Sequence, residues 1–445
     1  MKNKLSYINP YSNLQKIEDE GNLVIERGEG IYVYDDKGNK YIEGLAGLWC
    51  TSLGFSNKKL VKAAYNQLNK LPYYHSFTGK VPKISLELSN KLNKITPKQF
   101  EKFIFANSGS ESNDTAIKMV WYYFNALGLN KKKKIISRNR GYHGVNVLSG
   151  SLTGLEYAHK GFDLPRSVVL HTDSPHYYKY AKNNESEGDF VDRILNNLQN
   201  LINEEGPETI GAMIMEPIQG AGGVIIPPIQ YLEKLQKILK QNNILLIVDE
   251  VICGFGRTGK MFASEKYNIE ADMMVMAKGL SSGYAPISAL TITNDIYNTV
   301  KEYSTINGVF GHGYTYSGHP LASAISLECL KVYEGDGFLD KVNKKSKLFC
   351  ERINSLSKHE CVGHARATGL IGAIELKFDK KFLKKSNDKK LLLSQFLVSE
   401  CQREGLIIRA LPDNIIAFCP PLTITNKEIN LMFDIIDNSI ESLNN

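Results

Sequence analysis

The chain has 445 residues, of which 42% are hydrophobic and 23% charged, and its formal net charge is +7. A chain of this length exceeds what one hydrophobic core usually holds, so the sequence predicts two domains of an ordinary globular protein. The positive charge is spread along the chain, whereas a nucleic-acid patch needs a clustered basic face, which the sequence does not show. Residues 131–134 form the one compact basic run, which we interpret as a solvated turn after a helix.

The number and spacing of the cysteines and the hydropathy of the chain indicate its cellular compartment. The seven cysteines are scattered, odd in number and without a C-x-x-C pair, which favours reduced thiols over a disulfide framework. Polar residues interrupt the first 14 residues, unlike a signal peptide, and no apolar run approaches the length that spans a membrane. The sequence therefore predicts a soluble, cytoplasmic protein.

The first predicted elements are a hairpin and two helices. Residues 30–43 alternate as two strands around a turn at 36–39, and residues 60–71 and 85–92 have helical spacing. A short strand is predicted at 103–106.

A serine- and glycine-rich turn at 107–112 follows that strand, and a helix is predicted from about Asn113 to Leu127. Free backbone N–H groups at a helix start, with hydroxyl donors and a glycine, form a phosphate site. The alternative is a simple helix cap that uses Ser112 or Asn113.

Strands then alternate with helices, which predicts an α/β fold with a mostly parallel sheet and right-handed crossovers. These strands are predicted at residues 134–137, 211–215, 244–248 and 273–276, with an amphipathic helix at 231–240. After about Gly335 the pattern changes to a helix, short strands and a terminal helix, which predicts a second, α+β domain. The predicted units are an N-terminal segment that joins the small domain (1–59), a large domain (60–335) and a C-terminal small domain (336–445).

Two of these strands end in chemically useful side chains. The strand at 244–248 leads to Asp249, and Met273–Met276 leads to Lys278. Parallel strands expose their carboxyl ends along one crevice, where ligands bind. A buried carboxylate there needs a partner, and the pair suits pyridoxal phosphate, whose ring nitrogen and aldehyde need an acid and an amine. Alternatively, Asp249 caps the next turn or pairs with Arg257, and Lys278 is a surface lysine.

Three other patterns carry weaker signals. Tyr142 lies between Gly141 and Gly144, where it can stack on a flat heterocycle or simply pack. Residues 254–259 match G-x-G-x-x-G but open no obvious helix, so we reject a dinucleotide site. The histidines in glycine-rich loops lack metal-ligand spacing, so no metal site is predicted; these are His143, His312 and His319.

Four segments together resemble the class III aminotransferases. They are residues 216–223, 248–259, 276–280 and 311–320, in the family's order, and the resemblance covers nearly the whole chain. It implies a pyridoxal-phosphate enzyme of the aspartate-aminotransferase fold (fold type I), with a large domain around a mostly parallel sheet and a smaller α+β domain.

The resemblance also implies roles for single residues. Lys278 binds the cofactor as a Schiff base and then moves the substrate proton, while Asp249 keeps the ring nitrogen protonated. Thr315 reaches the phosphate from the neighbouring subunit, which implies an obligate homodimer with shared active sites. The remaining matched cofactor contacts are Gly109 and Ser110 at the phosphate, and Tyr142 and Val251 on the two ring faces.

Within the family, Trp49 and its neighbours resemble the amine:pyruvate (ω-) transaminases, where this tryptophan lines the amine pocket with aromatics such as Phe77. Members that use glutamate typically carry a carboxylate and a guanidinium where this chain has Ala221 and Val145, so the resemblance favours pyruvate over 2-oxoglutarate. Arg409 matches the mobile arginine that pairs with the substrate carboxylate.

The predicted reaction is a ping-pong transfer of an amino group from a primary amine or ω-amino acid to pyruvate, giving L-alanine. A transaminase specific for taurine, β-alanine, putrescine or 4-aminobutyrate is an alternative, as is an aminomutase or decarboxylase of the same fold. A catalytically silent binding protein and a nicotinamide-dependent oxidoreductase are further alternatives.

Overall fold

The structure is a computed structural model that describes residues 6–378 and 392–442. Its N-terminal part confirms the predicted hairpin, whose turn is closed by the Asp35 carboxylate accepting from the N–H groups of Lys37 and Asn39. The elements here are α1 (Leu14–Glu20), β1 (Ile25–Glu29), β2 (Tyr32–Asp35), β3 (Lys40–Glu43) and the single turn α2 (Ala46–Trp49).

The next part alternates between helices and strands, as predicted. In chain order it contains α3 (Lys58–Lys70), α4 (Lys83–Ile95), β4 (Phe100–Ala106), α5 (Gly109–Ala126), β5 (Lys134–Arg138), α6 (Val147–Leu152), β6 (Val169–Thr172), α7 (Tyr177–Tyr180), α8 (Glu187–Glu205), β7 (Ile210–Met215), α9 (Tyr231–Gln241), β8 (Leu245–Asp249), α10 (Ala263–Lys266), β9 (Met273–Met276), β10 (Ser288–Thr293), α11 (Asn294–Ile306) and α12 (Pro320–Glu334). Short 3₁₀ turns occur at Glu156–Ala158, Pro207–Thr209 and Lys278–Leu280.

Seven of these strands form the central sheet, in the order β4-β10-β9-β8-β7-β5-β6. The neighbours from β9 to β6 pair in parallel, and β10 is antiparallel to both of its neighbours. The prediction of a mostly parallel sheet is therefore confirmed, although β6 and β10 were not predicted. Helices cover the sheet, and two of its inner strands are apolar: every residue of β7 and β9 is buried.

The C-terminal part is α+β, as predicted. It contains α13 (Phe338–Ser355), a 3₁₀ turn (Leu356–Lys358), β11 (Val362–Thr368), β12 (Ile371–Leu376), α14 (Leu393–Arg403), β13 (Leu406–Ile407), β14 (Arg409–Leu411), β15 (Ile415–Phe418) and α15 (Asn426–Glu441). Four strands form an antiparallel sheet in the order β11-β12-β15-β14. The domain boundaries at 59/60 and 335/336 stay a prediction.

A short parallel ladder joins the two ends of the chain. β13 pairs with β3, and the N–H of Ile42 donates to the carbonyl of Gly405, while Gly44 N–H donates to Ile407 O, both at 2.8 Å. Gly44 has to be a glycine, because a Cβ there would lie 2.9 Å from the Ile407 carbonyl oxygen. The segments that continue from this ladder, α2 and β14, are therefore held side by side.

The start of α5 differs from the prediction. The helix begins at Gly109 rather than near Asn113, and Ser108 is its N-cap, with its hydroxyl accepting from the N–H of Glu111. Ser112 and Asn113 are buried inside the helix, so the alternative that either of them caps it is wrong. The glycine and serine of the predicted phosphate site thus occupy the first helical turn.

The basic run at 131–134 is also not simply solvated. Lys132 is 5% exposed, and its ammonium donates to three backbone carbonyls, those of Pro207 (3.1 Å), Ile210 (2.9 Å) and Asn243 (2.7 Å). It therefore ties the turn after α5 to the starts of β7 and β8, and it gives each of these three carbonyls a donor.

Replacing Lys132 by methionine keeps the apolar stem but leaves these carbonyls unsatisfied, so we expect the free energy of unfolding to fall by about 3 kcal/mol. Thermal unfolding monitored by circular dichroism measures the change, and Lys131→Met is the control because Lys131 is exposed. Equal midpoints for the two variants would show that the three bonds contribute nothing.

Candidate active site

A cavity of about 390 Å³ lies at the carboxyl ends of β8 and β9. The start of α5, the loop after β5, the turn α2 and the first residue of β14 complete its walls. Nine of the residues singled out from the sequence line it: Trp49, Gly109, Ser110, Tyr142, Ala221, Asp249, Val251, Lys278 and Arg409.

Asp249 is 2% exposed and carries the central negative group of this cavity. Its Oδ2 accepts from Asn113 Nδ2 and from His143 Nδ1, both at 2.9 Å, and its Oδ1 accepts from the N–H of Val251. The carboxylate therefore does cap the following turn, but it is not paired with Arg257, which donates instead to two backbone carbonyls. Three donors thus satisfy the oxygens of this buried side chain.

Neither Asn113 nor His143 was assigned a role at the cofactor from the sequence. The signal for His143 was available, since it stands next to Tyr142 in the same glycine-flanked loop. Asn113 follows Gly109 by one helical turn, so both lie on the same face of α5. The side chains that support Asp249 are thus neighbours of the predicted phosphate and ring contacts.

Lys278 lies two residues after the end of the buried strand β9, which pairs in parallel with β8. Its φ of +46° is left-handed, a strained conformation for a residue with a side chain and one that concentrates at functional sites. Its Nζ lies 5.6 Å from the centre of the Trp49 ring. Within residues 6–378 and 392–442, no carboxylate lies within ion-pair distance of this ammonium.

The first turn of α5 is built to receive an anion. The leading N–H groups of a helix have no partner within the helix, and the helix dipole adds positive potential there. A Cβ on Gly109 would lie 3.1 Å from Val251 Cγ2, so a glycine keeps the space between them open. Ser110 Oγ accepts from the N–H of Val145 at 3.2 Å, which connects this turn to the loop that carries Tyr142.

Trp49 is presented by an unusual piece of backbone. All four residues of α2 have positive φ, between 49° and 73°, which costs about 1–2 kcal/mol for each residue with a side chain. Glu43, 8% exposed, supports the turn by accepting from the N–H of Leu45 at 2.9 Å and from that of Gly47. This left-handed turn was not predicted, because alanine, leucine and tryptophan give no signal for it.

Arg409 lies against Trp49, with the guanidinium carbon 5.6 Å from the centre of the ring. The described residues contain no carboxylate that forms an ion pair with it, so the stacked guanidinium faces the cavity as an available cation. This is the geometry that a substrate carboxylate can use.

Two tyrosines that line the cavity were missed. The Tyr11 hydroxyl lies 3.3 Å from that of Tyr142, and the Tyr11 ring packs edge-on against Tyr157 at 5.8 Å. Burial raises the pKa of Tyr157 to about 12 and that of Tyr142 further, so both remain neutral phenols. Glu216 holds this wall in place: it accepts from the N–H groups of Tyr142 and Gly220, and burial raises its pKa.

Phe77, Thr315 and Val145 lie outside the cavity of their own chain. Phe77 is 42% exposed and lines a separate cavity next to Gly313, so its place beside Trp49 in an amine pocket stays a prediction. Thr315 is exposed on the same segment, and its carbonyl accepts from the Tyr73 hydroxyl. Val145 is 58% exposed and lines a neighbouring cavity.

One group of side chains away from this cavity has the spacing of metal ligands. His176, His364 and Glu375 bring one ligand atom each within 4.8 Å of one another. The Arg366 guanidinium already donates to Glu375 at 3.1 Å and to His364 at 2.8 Å, so a cation is present in the cluster. The arrangement is an ion-pair network, and the absence of a metal site stays a prediction.

Comparison with known proteins identifies the family. The family model of class-III aminotransferases matches residues 15–440. The chain belongs to this family. Among the relatives, gamma-aminobutyrate transaminase 3, chloroplastic, of Solanum lycopersicum is 47% identical over 92% of this chain and 78% of that protein. Vanillin aminotransferase of Capsicum annuum is 45% identical over 94% of this chain and 91% of that protein.

Solved structures of similar proteins support the same family. The omega transaminase from Pseudomonas jessenii in complex with PMP superposes with a TM-score of 0.94 at 46% identity, covering 98% of this chain and 96% of that chain. The predicted family and its ω-transaminase subgroup, fold type I, aminotransferase activity and the pyridoxal-phosphate cofactor are therefore confirmed. No helix of the described residues is long and apolar enough to cross a membrane.

The cavity fits this cofactor. The helix start at Gly109 suits its phosphate, the buried Asp249 side chain suits a protonated ring nitrogen, and Lys278 offers an amine for its aldehyde. Tyr142 and Val251 line the cavity where a flat ring needs apolar contact. When bound, the cofactor accepts the electron pair left on a substrate carbon.

Glu43 makes the turn that carries Trp49 sensitive to pH. Burial raises the pKa of Glu43 from its ordinary value near 4.5 to about 7. The folded protein therefore holds this proton more tightly than the unfolded chain, so stability is lost as pH rises from about 4.5 to about 7, by up to about 3 kcal/mol.

Glutamine at position 43 keeps an acceptor for the two N–H groups and has no proton to lose. We expect the difference in melting temperature, Glu43→Gln minus the unsubstituted protein, to increase as the pH is raised from 5 to 7.5. Other buried carboxyl groups titrate in both proteins and cancel in the difference. A constant difference across this range would show that Glu43 does not titrate there.

Proposed function

We propose that the protein transfers an amino group from a primary amine or ω-amino acid to pyruvate by a ping-pong mechanism, giving L-alanine. The observation that carries this proposal is that one cavity holds both the strand-end Lys278 and Arg409, which lies over Trp49 and forms no ion pair with a carboxylate of the described residues. A site of this kind takes two substrates in turn, one without and one with an α-carboxylate.

Aromatic walls support the amine half of the reaction. Trp49, Tyr11 and Tyr157 surround the space in front of Lys278, and their surfaces suit an apolar or extended amine. The names of the relatives cited above include a 4-aminobutyrate transaminase and a vanillin aminotransferase, which supports an ω-amino acid or an aryl-alkyl amine as donor. Taurine, β-alanine and putrescine remain candidate donors of the same class.

The choice of pyruvate as acceptor is supported by one cation and by two positions that carry apolar side chains. Arg409 can pair with one carboxylate, which is what pyruvate carries. Ala221 lines the cavity with a methyl group, and Val145, which lines a neighbouring cavity, is apolar, so neither offers a partner for the second carboxylate of 2-oxoglutarate. This favours the smaller keto acid.

Different side chains of the cavity have different roles in the proposed reaction. The Lys278 amine takes the proton from the substrate carbon and returns it, because it is the amine of the cavity and no carboxylate of the described residues forms an ion pair with it. Asp249, fixed by Asn113 and His143, holds a proton on the ring nitrogen. The aromatic walls restrict access of water during the transfer.

A homodimer with shared sites belongs to the same proposal. Thr315 and Phe77 are exposed, lie on adjoining segments and do not reach the cavity of their own chain. We assign both to the site of the partner subunit, Thr315 at the phosphate and Phe77 at the amine pocket. The cytoplasmic location stays a prediction, supported by seven cysteines that form no disulfide.

Lys278 gives the first test. Replacement by arginine keeps the charge but removes the nucleophilic amine, so we expect loss of the yellow Schiff-base band and a fall in turnover of at least roughly a thousandfold. Absorbance and alanine formation measure the two effects. Lys260→Arg, at an exposed lysine, is the control. Normal turnover in Lys278→Arg would contradict the assignment.

Arg409 gives the second test, because the two half-reactions can be measured separately. We expect an aryl-alkyl amine that has no carboxylate to bleach the yellow band of the Arg409→Ala variant at nearly the normal rate. The return of the band with pyruvate should slow by roughly tenfold to a hundredfold, the range expected for one charge-assisted pair. An equal effect on both half-reactions would contradict the role of Arg409 as acceptor site.

A further inference from the structure

Arg140 is a buried cation that the reaction described above does not use. It is 6% exposed and lies two residues before Tyr142, in the loop after β5. Its Nε donates to the carbonyl of Gly222 at 2.9 Å, and its Nη1 forms an ion pair with Asp413. This guanidinium therefore joins the cofactor-binding part of the chain to the C-terminal part.

Asp413 lies in the turn that connects β14 to β15, four residues after Arg409. Asp413 and Asn414 both have left-handed φ, near 64° and 61°. The 2%-exposed Asn414 is fixed to its own part of the fold: its Oδ1 accepts from the N–H of Ser394, and its Nδ2 donates to two carbonyls. Asp413 faces the other way, toward Arg140 and Lys179.

The contacts of Arg140 meet at three walls of the cavity. Its own loop carries Tyr142, Gly222 follows the cavity residue Ala221, and Asp413 closes the hairpin whose first residue is Arg409. Gly222 has no room for a side chain, because a Cβ there would collide with the Arg140 backbone carbonyl. A change at this junction therefore moves the hairpin relative to the ring-binding loop.

We propose that Arg140, through Asp413, is a positioning residue that sets the place of Arg409 and thereby the affinity for the keto-acid acceptor. This inference rests on the proposed function, in which Arg409 binds the acceptor carboxylate. The planar guanidinium suits the task, because it binds a carboxylate and a carbonyl at the same time in fixed directions. Lys179, a flexible point charge with 30% of its side chain exposed, adds attraction without fixing direction.

Asp413→Asn is the main test, since asparagine tolerates the left-handed turn and removes only the charge. We expect the KM for pyruvate to rise by roughly tenfold to a hundredfold, the cost of displacing a binding group by a fraction of an ångström to an ångström. The rate of the half-reaction with an uncharged aryl-alkyl amine should stay within about twofold. Lys179→Gln is the matched control and should raise the KM for pyruvate far less.

A double variant separates positioning from general stability. If Asp413 acts through Arg409, adding Asp413→Asn to Arg409→Ala should cause no further loss in the pyruvate half-reaction, because the two effects are coupled. Additive losses, or an equal loss in the amine half-reaction, would overturn the proposal. Arg140→Lys, which keeps the charge but loses the planar fork, should reproduce the selective rise in KM, and it decides the question if Asp413→Asn does not fold.

The two proposals fail in different ways. If Arg409→Ala leaves the pyruvate half-reaction unchanged, the acceptor role of Arg409 is wrong and the positioning proposal falls with it. If Arg409→Ala slows that half-reaction but neither Asp413→Asn nor Arg140→Lys does, the acceptor role stands and the positioning role is wrong.

Discussion

The burial of the Asp249 carboxylate is the constraint on which the rest of the site depends. At 2% exposure it has to be compensated by the protein, and the compensation comes from Asn113 and His143. Asn113 lies one helical turn from Gly109, and His143 is adjacent to Tyr142. Satisfying one buried side chain therefore also places the helix start and the aromatic that we propose for the phosphate and the ring of the cofactor.

Substrate residues come from a different part of the molecule than cofactor residues. The central sheet supplies Asp249 and Lys278 at the ends of neighbouring parallel strands, which is where α/β folds bind ligands. Trp49 and Arg409 instead lie on the segments that follow β3 and β13. These two strands form the short ladder that joins the two ends of the chain. The proposed cofactor contacts on the central sheet are thus combined with proposed substrate contacts next to this ladder, and Arg140 and Asp413 join the two parts.

Much of this arrangement could be predicted from the sequence, because its signals are local. The hairpin, the alternation of strands and helices, and the strand-end positions of Asp249 and Lys278 follow from periodicity and turn residues. The misses are tertiary in origin. Lys132 is buried because three carbonyls that are distant in sequence converge on it. Tyr11 is distant in sequence from most other cavity residues, and only the folded chain brings it to the cavity. The helix start was misplaced because Ser108, Ser112 and Asn113 are all good caps, and only packing selects among them.

The central claim is that one cavity exchanges an amine for pyruvate, with Arg409 as its single carboxylate partner. The most direct test starts from the enzyme bleached by an uncharged amine and follows the return of the yellow band with equal concentrations of pyruvate or 2-oxoglutarate. We predict that pyruvate restores it at least roughly a hundredfold faster, because the cavity offers the second carboxylate no partner. Equal rates with the two keto acids would contradict the account.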